Sequence, residues 1–434
     1  MPTVSFATLG CRVNQVDTQE MQAALEARGF RAVSFDEPAD VVVVNSCTVT
    51  ARADFSDRQM VRRAGRTSPH GRVVVTGCWA QVDPQAAAMP GVDLVLGTAD
   101  RHRLPELVEA LLATPGSPRL RPAPEQEPAA STTVLARATA TARSRAVVKA
   151  QDGCQHRCAF CIVPAARGAS RSLSPEALVE RVRERVAAGH PEVVLTGIDL
   201  GHYGADLVPR TTLAALLRRI VEVPGLRWLR LSSLLPAYFT DELLELLLSS
   251  PVIAPHFHVP LQSGSDRILR RMRRPYTVAM YRRLVERLAE ASPSLGLGAD
   301  VIVGFPGETD ADFEATVALV ESLPFTYLHV FGYSDRTGTE ATRLDGHVDG
   351  RIIRERSRRL RGLGARQART FREGLVGSRQ DVLVLETAVA DGRLVGLTGN
   401  YVEVVFDGPP ALVRSMARIE VRGVEGPRLM GELA

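Results

Sequence analysis

Lysine is almost missing from this chain: Lys149 is the only one in 434 residues, so the 53 basic residues are otherwise arginine. Arginine is the better residue for phosphate contacts and base stacking, being planar and always charged, but a GC-rich genome produces the same bias. Cysteine is scarce too, with six in the whole chain. That excludes a disulfide framework, which belongs to short secreted chains dense in cysteine. No apolar run reaches the roughly eighteen residues that span a bilayer, and no apolar signal segment opens the sequence, so a cytoplasmic protein without a membrane role is expected. The net charge of +4 is too mild to argue for nucleic acid by itself. What remains is a hydrophobic fraction of 45 %, ordinary for a globular protein, and a length that fits two to four domains.

The few cysteines are where the chemistry concentrates. Cys154, Cys158 and Cys161 lie in GCQHRCAFC, a CxxxCxxC loop that offers three thiolates and no fourth. A four-iron cubane held by three cysteines keeps one iron open, whereas electron carriers usually close all four positions. Structural zinc is the competing reading, with His156 as a further ligand, although zinc sites are typically built from two paired knuckles. Cys11 follows VSFATLG, Cys47 follows VVVVNS and Cys78 follows VVVTG, each at the carboxyl end of a short β-branched run that reads as a buried parallel strand. Carboxyl ends of parallel strands share one sheet edge, so three cysteines far apart in sequence converge there as a second metal site. Buried cysteines acting as small hydrophobes are the plain alternative. Asp17 to Arg28 reads as the helix after the first of these strands.

The segments TLGCRVNQVDTQ, VVNSCTVT, VTGCWAQ and QDGCQHRCAFCIVPAARG, in that order, resemble the radical S-adenosylmethionine methylthiotransferases, and the likeness spans nearly the whole chain. The resemblance implies two [4Fe-4S] clusters. One, on Cys154, Cys158 and Cys161, binds S-adenosylmethionine at its open iron and cleaves it to a 5′-deoxyadenosyl radical, with Phe160 matching an aromatic near the adenine. The other, on Cys11, Cys47 and Cys78, carries the sulfur to be transferred. It also implies an electron donor such as flavodoxin or ferredoxin and a sulfur source, with no side chain serving as catalytic acid, base or nucleophile. GCRVNQVDTQ, PLQSGSDRILRRMRRPYT and YSDRTGTEA are most similar to the branch that acts on threonylcarbamoyladenosine beside the anticodon, at position 37 of the tRNA anticodon stem-loop. Isopentenyladenosine enzymes tend to show GCQMN in the first motif and ribosomal-protein enzymes GCPKN. Those two substrates, and a non-catalytic iron–sulfur protein that binds RNA, stay as alternatives. Ala165 or Ala166 stands where an aromatic commonly precedes Ala-Arg-Gly, a departure that touches local contacts and not the cluster ligands.

Composition divides the chain into an N-terminal open parallel α/β domain over 1–113, a linker rich in Pro, Ala, Ser and Thr over 114–145, a central βα region over 146–374 and a small antiparallel β-barrel over 375–434. By resemblance the central region is the partial (β/α)6 barrel of radical enzymes and the last is a TRAM module that binds RNA. Strands are expected over Glu192–Gly201, Trp228–Leu234, His256–Ser265, Leu297–Thr309 and Tyr327–Ser334, with functional carboxyl ends. Gly197, Ser232, Gln262, Ile302 and Gly304 sit at such ends, and the resemblance assigns them to S-adenosylmethionine. A left-handed turn at Gly197 and helix capping by Ser232 are the competing readings. Arg270, Arg271, Arg273 and Arg274 around Met272, and the arginines of Arg351–Gly374, read either as phosphate contacts or as solvated helix faces. Tyr401 and Phe406 read as base-stacking platforms or as barrel core, with core favoured for Phe406.

Overall fold

The structure, a computed structural model, describes residues 1–113, 119–120, 144–385 and 392–434; the linker expected over 114–145 falls almost wholly outside them. The chain forms two compact units. The first comprises Met1–Thr141, Asp152–Arg171 and Ser334–Thr342. Its strands β1 (Thr3–Thr8), β2 (Arg31–Ala32), β3 (Val41–Ser46), β4 (Arg72–Gly77), β5 (Leu94–Leu96) and β6 (Arg119–Leu120) make one parallel sheet ordered β2-β1-β3-β4-β5-β6. The period of two explains why β3 is a valine run. Val41 and Val43 enter the core under helices α1 (Arg12–Glu26) and α5 (Leu104–Ala113), while Val42 and Val44 enter the opposite core. That second core lies under α2 (Ala51–Thr67) and α3 (Cys78–Val82), and a sheet covered on both faces needs apolar residues at every position. Helices α4 (Pro84–Ala87) and α6 (Val163–Arg167) complete the unit. The helix expected from Asp17 starts earlier, at Arg12, so it springs directly from Cys11.

The second unit comprises Ala142–Gln151, Ser172–Tyr333 and Arg343–Ala434. Strands β7 (Arg145–Asp152), β8 (Arg171–Ser172), β9 (Glu192–Gly197) and β10 (Trp228–Leu231) form a sheet ordered β10-β9-β7-β8. β11 (His256–His258), β12 (Gly296–Val303) and β13 (Tyr327–Gly332) form another, and β7 with β9, β9 with β10, β11 with β12 and β12 with β13 all pair parallel. The Leu234 N–H donates to the His258 carbonyl at 3.0 Å and Leu229 bridges Ile253, which joins β10 to β11 and gives the six-stranded βα series the sequence implied. Helices α7 (Pro175–Ala187), α8 (Leu213–Val221), α9 (Asp241–Ser249), α10 (Asp266–Arg271), α11 (Val278–Ala291), α12 (Asp310–Ser322) and α13 (Gly350–Gly374) belong to this unit. Ser174, Thr212, Thr240, Ser265, Thr277 and Thr309 cap the amino ends of α7 to α12 in turn, each side-chain oxygen accepting from the N–H three residues on. The strands stop earlier than expected. β11 ends two residues before Pro260, and β12 ends where Gly304 takes a φ of 75°.

The last residues form a closed barrel of β14 (Arg379–Val384), β15 (Leu394–Thr398), β16 (Glu403–Phe406), β17 (Met416–Glu425) and β18 (Arg428–Leu433), in the order β14-β15-β16-β18-β17. It is antiparallel as expected except between β16 and β18, which run parallel. Phe406 is core. Tyr401 is packed too, stacked on His256 at 4.4 Å between ring centroids and 5.1 Å from the Arg230 guanidinium.

Arg230 anchors the barrel to the βα strands. It is fully buried, donates from Nε to Glu192 at 2.8 Å, and gives its Nη1 to the Gly399 carbonyl at 2.8 Å. Breaking such a pair strands one buried charge, whereas replacing both partners by apolar residues is often neutral. Arg230→Met should therefore lower unfolding stability by about 3–5 kcal/mol, and a Glu192→Leu/Arg230→Met double variant should recover most of it. Urea unfolding of the three proteins checks this; equal loss in single and double variants would refute it.

Candidate functional site

The sheet of the first unit reverses its strand order between β1 and β3, and such a reversal opens a crevice at the carboxyl edge. Cys11 follows β1, Cys47 follows β3 and Cys78 opens α3 directly after β4. The three come together. A Cβ on Gly10, whose φ is 91°, would lie 2.7 Å from both Cβ and Sγ of Cys47, so only glycine lets the Cys11 loop approach that closely. Burial pushes the Cys47 thiol up to about 12, with Cys78 and Cys11 adding to the shift. Burial likewise pushes Cys78 up to about 11 against the opposing charge of Arg167. These thiols are neutral in the fold, so taking up metal must release protons. The Cys47 N–H donates to both oxygens of Asp57, at 3.3 and 3.1 Å, and burial pushes the Asp57 carboxyl up to about 8.

The second triad lies in the same unit. Cys154, Cys158 and Cys161 occupy a half-buried loop in which the Cys161 N–H donates to the Cys158 carbonyl at 3.0 Å and the His156 N–H reaches Cys154 Sγ at 3.4 Å. The loop is closed by the Cys154 N–H donating to Gly168 at 3.0 Å, and Gly153 at φ 73° sits where a Cβ would strike the Ala169 carbonyl at 2.0 Å. Phe160 is half-buried between the second and third cysteines.

A buried charge network ties the two cysteine loops together. Arg167 donates from Nη1 to both Asp152 oxygens, at 2.8 and 3.0 Å, and from Nη2 to Asp17 at 2.9 Å and to the Asn14 amide oxygen. Arg101 spans the same two carboxylates, reaching Asp17 and Asp152 at 3.0 Å each. Asp17 and Asn14 stand on α1 just past Cys11, and Asp152 stands two residues before Cys154. Arg336, from the short return segment, bonds Asp54 at 2.7 Å and the Thr48 carbonyl at 3.2 Å beside Cys47. All four motifs are visible in the sequence, but nothing in their spacing pairs residues about 150 positions apart.

In the second unit the expected strand-end residues hold varied positions. Gly197 is not left-handed; a Cβ there would meet Gln151 Oε1 at 3.0 Å, so close approach is its constraint. Its N–H donates to Ser232 Oγ at 3.4 Å, and Ser232 does not cap α9, which Thr240 does. Gln262 combines a φ of 66° with a buried Oε1 that has no hydrogen-bond partner. Ile302 is half-buried on the Asp300 side of β12. Gly304 makes room for α13, since a Cβ would lie 2.3 Å from Ile353 Cγ1. Of the arginines around Met272, Arg271 is used internally, donating to the Pro306 carbonyl at 2.8 Å and to Asp345, while Arg274 bonds the Tyr276 hydroxyl at 3.0 Å.

The model of the radical SAM superfamily matches residues 148–320, and one described as uncharacterized protein family UPF0004 matches residues 3–97. A Bacillus subtilis protein described as threonylcarbamoyladenosine tRNA methylthiotransferase MtaB is 36% identical across 97% of this chain and 94% of its own length. The Aquifex aeolicus protein of that description is 40% identical, covering 93% and 97%. A Jannaschia protein described as tRNA-2-methylthio-N(6)-dimethylallyladenosine synthase is 35% identical, covering 98% and 93%. The chain belongs to the radical S-adenosylmethionine methylthiotransferases. Among solved structures, the radical S-adenosylmethionine methyltransferase TsrM from Kitasatospora setae superposes with a TM-score of 0.57 at 18% identity over 76% of this chain and 74% of that one, a likeness of fold. Membership makes the protein an enzyme that uses a [4Fe-4S] cluster and S-adenosylmethionine. No described helix is long and apolar enough to cross a membrane.

This methylthiotransferase carries one polar group that sequence reading missed. One face of β12 and β13 buries Leu297, Ala299, Val301 and Val330 under helices, and the other presents Asp300, Tyr327, His329 and Phe331. There Asp300 Oδ1 lies 3.0 Å from His258 Nε2 and 3.3 Å from His329 Nδ1, while the Tyr327 hydroxyl sits 3.0 Å from His258 Nδ1 and 2.8 Å from His256 Nε2. The ligating atoms of His258, Asp300 and His329 lie within 4.8 Å of one another, close enough for a metal ion, yet they already form a closed hydrogen-bonded chain. Burial raises the Asp300 carboxyl, but the bonds from His258 and His329 outweigh it and hold the group well below the usual carboxylate range. A depressed carboxylate contributes stability above its unfolded pKa and loses it as pH falls. Asp300→Asn should therefore flatten the acid limb of stability below about pH 4, where an unfolded aspartate protonates. Urea midpoints measured down the pH scale test it, and parallel curves for wild type and variant would count against it.

Proposed function

We propose that this methylthiotransferase acts on tRNA, replacing the C2 hydrogen of N6-threonylcarbamoyladenosine at position 37 of the anticodon stem-loop with a methylthio group. Identity alone does not choose the base, because relatives named for threonylcarbamoyladenosine stand at 34–40% and those named for dimethylallyladenosine at 34–37%. The choice rests on the motifs GCRVNQVDTQ, PLQSGSDRILRRMRRPYT and YSDRTGTEA, which resemble the threonylcarbamoyladenosine branch, and on the relatives of that description at 36% and 40%.

Cys154, Cys158 and Cys161 hold the radical-forming cluster, and Cys11, Cys47 and Cys78 hold a second [4Fe-4S] cluster. Both sets suit the group: three thiols with no fourth, one set on a half-buried loop and the other at a sheet crevice. When bound, the clusters and S-adenosylmethionine supply the electron, the radical, the methyl group and the sulfur. The chain positions them. Gln262, with its unpaired buried Oε1, offers an acceptor to S-adenosylmethionine, Gly197, Ser232, Ile302 and Gly304 are the strand-end residues assigned with it, and Phe160 stands beside the cluster cysteines. An electron donor of the flavodoxin or ferredoxin kind and a sulfur source complete the cytoplasmic reaction, and the closed C-terminal barrel contributes to holding the tRNA.

Mass spectrometry of tRNA nucleosides from a deletion strain tests the substrate: the 2-methylthio-N6-threonylcarbamoyl nucleoside should vanish and its unmodified parent accumulate. Loss of the dimethylallyl product in its place would overturn the reading.

Two cysteine variants test the cluster assignments. Cys158→Ala should abolish 5′-deoxyadenosine formation and lower iron by about four per chain after anaerobic reconstitution. Cys47→Ala should lose a similar amount of iron, about four per chain, keep making 5′-deoxyadenosine and yield no methylthio product. Wild-type iron content in Cys47→Ala would reduce the strand-end cysteines to core residues.

A further inference from the structure

Arg167 is spent almost completely on positioning, and the remainder is informative. Its two Nη groups satisfy Asp152, Asp17 and Asn14, yet its Nε–H has no partner although the side chain is 1% exposed. Buried donors are rarely left unmade, and an orphan beside a functional group calls for a partner that arrives later. The neighbour is known. Arg167 ends α6, Cys78 begins α3, and these two short helices pack together, with the Thr98 hydroxyl donating to the Ala166 carbonyl at 2.6 Å.

We propose that Arg167 is a positioning residue whose Nε–H donates to sulfur at Cys78 once a cluster occupies the Cys11, Cys47 and Cys78 site, setting that cluster's reduction potential while its Nη groups hold the site in register with the Cys154 loop. The inference rests on the reading that these three cysteines hold a second cluster. A hydrogen bond and a fixed positive charge at a ligand sulfur stabilise the more negative, reduced state of a cluster, so they raise its potential. Asp152 and Asp17 balance Arg167 and Arg101 in number, so the bonded network as a whole adds little net charge. What distinguishes Arg167 from Arg101 is its place at the end of α6, packed on the α3 that Cys78 begins, and a buried Nε–H without a hydrogen-bond partner.

The test uses full-length protein carrying Cys154→Ala, Cys158→Ala and Cys161→Ala, so that only the second cluster titrates. Reconstituted anaerobically, it should hold about four irons per chain. In that background Arg167→Gln should shift the midpoint of an EPR-monitored redox titration to more negative potential, with Arg167→Lys lying between. Protein labelled with 15N-arginine should show an arginine nitrogen coupled to the cluster spin without any change at residue 167, which keeps the test open should Arg167→Gln fail to load. An unchanged midpoint in loaded Arg167→Gln, or no arginine coupling in the labelled parent, overturns the proposal. Absence of iron in the triple variant instead removes the second cluster and the proposal with it.

Discussion

Four charged side chains, Arg101, Arg167, Asp17 and Asp152, carry the geometry of the first unit. All lie at most 16% exposed, and each arginine bridges the same two carboxylates. Buried ion pairs are weak devices for stability, since desolvating each ion costs several kcal/mol and well-packed apolar residues often do as well. What they supply is direction. A guanidinium bonded to two carboxylates fixes angles as well as distances, and here one carboxylate follows Cys11 while the other precedes Cys154. An apolar cluster of the same volume would let the helix α1 and the cysteine loop slide; the charge network holds them in one arrangement.

Strand polarity does the rest of the assembly. Parallel strands deliver their carboxyl ends to one edge, so short loops after β1, β3 and β4 suffice to gather Cys11, Cys47 and Cys78. The same rule places Gly197, Ser232 and Gln262 at or just past the ends of β9, β10 and β11. Where a strand must stop, the chain uses residues with special backbone needs. Gln262 at positive φ is the unusual one, because a non-glycine residue in that region is strained and persists where surrounding structure enforces it. Here the enforcement is visible: its N–H and carbonyl both bond β12, to Asp300 at 2.8 Å and from Ile302 at 2.9 Å.

Local signals made much of this legible. Valine runs ending in cysteine and period-two alternation after residue 375 each follow from short-range physics. Strand ends were overrun because the residues past the regular ladder keep the same alternation and the same neighbour; Val259, Leu261 and Gln262 still donate to β12 although the ladder of β11 ends at His258. Long-range pairing was invisible. Nothing in ARG indicates that Arg167 meets Asp17, and nothing in YLHVF indicates that His329 shares Asp300 with His258. Such contacts depend on which strands become neighbours, which periodicity does not encode.

Phosphate attraction follows from which arginines the fold has already neutralised. On the C-terminal barrel Arg418 is paired with Asp381, Arg422 with Glu420 and Glu432, and Arg428 with Glu403. Its aromatics are no more available, since Phe406 is core and Tyr401 packs on His256. On α13, Arg356 is buried against Glu308 and Asp310, and Arg359 and Arg369 pair with Glu314 and Glu373. Arg351, Arg354 and Arg358 are exposed on that helix and, among the described residues, carry no ion pair. Spaced three and four apart, they lie along one helical face. Electrostatic attraction scales with unpaired charge, because a cation already bonded to a carboxylate must give up that partner before it can displace counterions from a phosphate. The positive charge left unpaired among these arginines therefore lies on the α13 face, while the barrel arginines named above are already matched by carboxylates.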